Sequence, residues 1–188
     1  MTAMWGFVLL MLAFSFGAAP ELRADVRQCA CDPAKPETMR ARECSLCNEA
    51  DKHTGTDEIF FLKDINPRKA NRTLALPRPH SGGGHPLHQM PQALQTKLWT
   101  AAIAKARELW GDGWGIAYNG EVHRTQCHAH VHIGKLLKGL APGKYYDAAS
   151  PAQIRLPADG LGVWLHAGPN GKIRVHFGEG ITETALLR

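Results

Sequence analysis

The stretch His128-Ala129-His130-Val131-His132-Ile133 alternates imidazole and apolar side chains without a break. Period two is the spacing of an extended strand, whose successive side chains point to opposite faces. The segment therefore reads as a strand carrying His128, His130 and His132 on one face and Ala129, Val131 and Ile133 on the other. Neutral imidazole is a metal ligand and, near neutral pH, a nucleophile, acid or base. A single-sided row of three points either to a metal site or to imidazole catalysis.

The rest of the chain supplies partners for such a strand. Its 188 residues suit one domain with a real core. An apolar fraction of 44% with 21% charged residues excludes wholesale disorder and collagen or coiled-coil composition. Residues 58–63 and 72–76 are strand-like, separated by the turn-forming Asp64-Ile65-Asn66-Pro67. Pro91–Trp110 reads as one long helix: Leu94, Leu98, Ala102, Ala106 and Leu109 recur at helical steps, Pro91 suits the first turn and Gly111 ends it. Trp114–Tyr118 is a strand stopped by Asn119-Gly120, and Lys135–Leu140 a candidate helical turn. Residues 162–166 and 172–177 form a hairpin through Pro169-Asn170-Gly171. The expected fold class is α+β, an antiparallel sheet with one long helix and a C-terminal β-hairpin extension. Its segments are a cysteine-bearing, mostly extended arm at 25–57, a core at 58–140 and an extension at 141–188.

Met4–Ala19 is nearly continuous apolar sequence, so residues 1–24 read as a signal peptide or a membrane anchor. The expected location is exported, periplasmic or secreted, or anchored with membrane contact through this segment. Export favours disulfides among Cys29, Cys31, Cys44, Cys47 and Cys127, while the odd count also admits a metal site or a lone thiol. The net charge of +5 is concentrated, with +4 over residues 61–80 and +3 over 121–146. That distribution suggests a discrete anionic ligand and not nucleic acid.

The histidine row resembles the His-x-His-x-His signature of the histidine-triad superfamily of nucleotide hydrolases and transferases. The surroundings resemble it in order. Residues 60–67 are similar to its strand and Asp-x-x-Pro turn, and 74–80 to its next strand and Pro-x-x-His. The helix and the strand ending at Asn119 follow. Arg124-Thr125-Gln126 also resembles a run in the bacterial CDP-diacylglycerol pyrophosphatases, a membrane-associated branch that shares the N-terminal apolar segment. The resemblance covers roughly residues 44–140 and leaves the last 45 or so unexplained.

The resemblance implies a homodimer acting on a nucleotide or nucleotide conjugate at its α-phosphate. His130 would be the nucleophile, forming a nucleotidyl–histidine intermediate. His132 would bond the phosphate or leaving group, with Gln126 as a further catalytic residue. Asn119 and His128 would contact substrate. It also implies one structural zinc held by Cys44, Cys47, His80 and His128, with disulfides as the alternative at the cysteines. The histidine chemistry itself would need no metal. Cys127 is expected to be buried and inert. The competing readings are a CDP-diacylglycerol-type pyrophosphatase at the membrane surface and a non-catalytic zinc- or nucleotide-binding protein.

Overall fold

The computed structural model describes residues 29–78, 86–141 and 143–188. The apolar segment at 1–24 and His80 lie outside these residues. The described chain is α+β. Seven strands form one wholly antiparallel sheet: β1 (Ile59–Lys63), β2 (Thr73–Pro77), β3 (Trp114–Tyr118), β4 (Val131–Lys135), β5 (Lys144–Ala148), β6 (Gly162–Ala167) and β7 (Ile173–Glu179). Their spatial order is β1-β2-β4-β3-β6-β7-β5. The short helix α1 (Ser45–Lys52) and the long helix α2 (Gln92–Trp110) lie among the connections.

Local chemistry makes the tight turns. Between β1 and β2, Asn66 N–H donates to Asp64 Oδ1 (3.0 Å) and Arg68 N–H to Asn66 Oδ1 (3.0 Å), two side-chain caps that Pro67 then fixes. Between β6 and β7, Asn170 takes φ 55° and Gly171 φ 73°, the left-handed region that these two residues tolerate best.

Helix α2 lies on one face of the sheet. Leu98, Trp99, Ala102, Ile103 and Ala106 are buried against Ile116, Val131, Ile133, Val163, Leu165 and their neighbours. The expected stripe differs at its end: Leu109 is exposed, and Trp110 packs on the core in its place. The contact runs along four-residue steps through 98, 102, 106 and 110, which carries it off Leu109 in the last turn.

Three further expectations change. The arm contains helix α1, whose Leu46, Cys47 and Ala50 share a buried face. Residues 136–140 form no helical turn; Leu136 makes an isolated bridge to Leu186. The histidine strand enters its ladder only at Val131, so His128 and His130 sit in an irregular lead-in.

The two leucines of α2 provide a test. Leu98→Ala should cost about 2–5 kcal/mol, whereas Leu109→Ala should stay within about 0.5 kcal/mol of wild type, as read by urea denaturation.

Candidate active site

The site lies on the sheet face opposite α2. Strand β4 runs between β2 and β3, with His132 paired across to Leu74 on one side and Ala117 on the other. Over β1 and β2, helix α1 packs Leu46 and Ala50 onto Phe60, Leu74 and Leu76. Over β3 and β6, the C-terminal segment packs Ala185 and Leu186 onto Ala117 and Trp164. A Cβ on Gly115 would come within 2.6 Å of Leu186 Cδ2, so any side chain there would have to displace the end of Leu186 where it lies on the strand. Between the two coverings, above β4, remains a cavity of about 540 Å³.

His130, His132, Asn119 and Gln126 all line this cavity, and His128 is buried behind it. The imidazoles have defined protons. His130 Nδ1 lies 2.9 Å from the carbonyl oxygen of His128, and His128 Nε2 2.7 Å from that of Pro77. A carbonyl only accepts, so these nitrogens carry the hydrogens, and His130 keeps its lone pair on Nε2. Burial, chiefly, pulls the His130 pKa down to about 4, with Arg124 and Lys69 adding to the effect. His132 is held well below the usual imidazole range by burial and by His130, Lys69 and Arg72. Both rings are neutral at pH 7, the form a nucleophile or hydrogen-bond partner requires.

Two expected site residues are engaged by protein. Gln126 Oε1 accepts from Ser45 Oγ (2.8 Å) and Leu46 N (3.2 Å), while its Nε2 donates to Arg42 O (3.0 Å). It ties the start of α1, with the cavity-lining Arg42 and Ser45, to the lead-in of β4. Asn119 Oδ1 accepts from Glu183 N (3.0 Å) and so holds the C-terminal segment.

Several cavity residues were not among the expected site residues, although Asp64 and Arg124 belong to motifs of the resemblance. Asp64 Oδ2 lies 3.8 Å from His132 Nδ1, and Glu183 Oε2 lies 3.5 Å from His132 Nε2. Glu183 also pairs with Lys69 and Arg72. The buried Arg124 donates through Nη2 to Glu121 Oε2 (2.9 Å), and Tyr118 Oη donates to Glu121 Oε1 (2.7 Å). No pattern in residues 180–188 marks Glu183. Lys69 and Arg72 were visible only as members of a basic segment.

The expected zinc quartet is not what assembles. Cys44 is disulfide-bonded to Cys31, and Cys127, expected to be inert, is bonded to Cys29. Cys47 is buried in the same cluster and belongs to neither disulfide. His128 Nε2 is engaged by Pro77 O, and His80 falls outside the described residues. The sulfurs that converge are those of Cys31, Cys44 and Cys127, all within 4.8 Å of one another, close enough to hold a metal although drawn into disulfides. The reason is positional: Cys127 immediately precedes the histidine row, so pairing it draws the arm onto that row. Among the described residues, no helix is long and apolar enough to cross a membrane.

No protein-family model matches the chain, and no curated protein matches it in sequence.

The buried imidazoles set a pH dependence. His130 binds its proton near pH 4 when folded and near pH 6.5 when unfolded, so the unfolded chain holds more protons between these values. Stability is then lost as pH falls from about 6.5 towards 4. Urea midpoints should drop over this window, less steeply in His130→Gln, and the His130 ring should titrate by NMR near 4.

Proposed function

We propose that the protein is a histidine-triad-like hydrolase or transferase acting at the α-phosphate of a nucleotide or nucleotide conjugate. The observation that carries the reading is His130: a neutral, cavity-lining ring whose Nδ1–H is held by a carbonyl, leaving the Nε2 lone pair as nucleophile. In the first step Nε2 bonds to phosphorus, the bond from phosphorus to the leaving group breaks, and that group departs with the electron pair and takes up a proton. In the second step water attacks the phosphoramidate, releasing the nucleotide and restoring neutral His130. His132 and Lys69 are the groups placed to meet charge on the phosphate oxygens. The resemblance of residues 60–67, 74–80 and 124–132 to the superfamily's motifs supports this reading, and a homodimer is part of it.

A lipid-linked nucleotide, as in the CDP-diacylglycerol pyrophosphatases, is the second reading. It is favoured by Ile65, which lines the cavity and is 91% exposed, and by Val122, which is 56% exposed next to cavity-lining His123. Apolar side chains standing in solvent at a polar cavity fit an amphiphilic ligand or a membrane surface. A structural zinc belongs to the reduced form of the cysteine cluster, where Cys31, Cys44 and Cys127 would offer thiolates and brace the arm.

Wild type and His130→Ala should be incubated with an adenylyl phosphoramidate, dinucleoside polyphosphates and CDP-diacylglycerol, with and without chelator. The expected result is turnover of at least one, reduced by roughly 10³-fold or more in His130→Ala and insensitive to chelator. Absence of turnover on all three overturns the catalytic reading and leaves a binding protein. Thiol titration of the denatured, unreduced chain should count one thiol, that of Cys47, for the disulfide form. Four or more thiols with bound metal would identify the zinc form.

A further inference from the structure

The C-terminal segment carries a carboxylate into the cavity that the histidine row does not account for. After β7, a 3-10 turn at Thr182–Ala185 places Glu183 in the wall. Its Oε2 lies 2.6 Å from Lys69 Nζ, 2.6 Å from Arg72 Nη1 and 3.5 Å from His132 Nε2. The segment is firmly held. Thr182 Oγ donates to Tyr118 O (2.7 Å), Glu183 N to Asn119 Oδ1 (3.0 Å) and Leu187 N to Lys135 O (2.7 Å).

The two cations on this carboxylate differ in what they can do. Arg72 is 2% exposed, and its guanidinium donates to Glu183 Oε2 and to the carbonyls of Glu183, Leu186 and Leu187, so it fastens the segment. Lys69 stands on the turn after β1, is partly exposed and lines the cavity. A carboxylate anchored by a buried arginine and shared with a cavity lysine does two things. It fixes where the ammonium sits, and it offsets part of its charge.

We infer that Glu183 is a positioning residue that sets both the place and the strength of the phosphate-binding charge. It holds the Lys69 ammonium beside His132 and keeps the affinity for phosphate moderate. The inference rests on reading the cavity as a phosphate site. It gives the C-terminal extension a part in the site, although that extension lies outside the stretch resembling the superfamily.

Inorganic phosphate is the probe, with its Kd measured by calorimetry or NMR on the full chain without substrate. Glu183→Gln keeps the size and an acceptor for Arg72 but removes the charge, so phosphate should bind roughly three- to tenfold tighter. A segment merely loosened would bind phosphate more weakly. Leu186→Ala, which loosens the apolar anchor and leaves the carboxylate in place, should give no tightening. Lys69→Met should weaken phosphate by roughly threefold or more, and in that background Glu183→Gln should change Kd by less than about twofold. Unchanged or weaker binding in Glu183→Gln overturns the inference, as does equal tightening in Leu186→Ala or in the Lys69→Met background. If Glu183→Gln does not fold, unaltered phosphate binding in Lys69→Met alone overturns it. Since no turnover is needed, this outcome is separate from the His130→Ala result.

Discussion

The imidazoles of His130 and His132, buried side by side, are tolerable only while both are neutral. Desolvation enforces this, and backbone carbonyls fix the ring hydrogens of two histidines, Pro77 O that of His128 and His128 O that of His130. The rings of His130 and His132 meet edge to face at 5.0 Å. This arrangement leaves an unshared electron pair at Nε2 of His130, which borders the cavity, with the tautomer set by the His128 carbonyl before any ligand arrives. The rest of the structure serves the burial, because an open face would return these rings to water and to an ordinary imidazole pKa.

The covering comes from both ends of the described chain. The arm is stapled next to the histidines by the Cys29–Cys127 disulfide, by Cys127 N–H donating to Glu43 O and by the amide of Gln126. The C-terminal segment is anchored by Arg72, whose pKa burial lowers but whose guanidinium finds a carboxylate and three carbonyls. The cavity thus draws on residues 42–46, 64–74, 119–132 and 183 together. A candidate site signalled by one short histidine row has walls contributed by segments more than 100 residues apart.

Periodic and turn-coded elements were legible in sequence. The long helix, the strands around the Asp64–Pro67 turn and the hairpin at Asn170-Gly171 lie within a residue or two of their expected bounds. Each rests on local chemistry, a repeat of 3.6 or 2 or a residue suited to a left-handed turn. Helix α1 was not legible, because its buried face is a short run of Leu46, Cys47 and Ala50 in otherwise polar sequence. Neither was the late start of β4. Alternation continues through His128, but residues 127–130 stand outside the ladder, where Cys127 is bonded to Cys29 of the arm.

The amino-acid sequence alone determined that His130 and His132 stand together, that an antiparallel sheet carries His132 and that one long helix packs behind. These follow from periodicity, which is local. Tertiary structure alone decided that these histidines are buried, that Cys44 pairs with Cys31 and not with a metal alongside Cys47, that Gln126 and Asn119 hold the two coverings, and that Glu183 reaches Lys69. Those depend on which distant segments meet across the sheet. Long-range packing and charge pairing select such partners, and they leave no repeat or spacing in the chain.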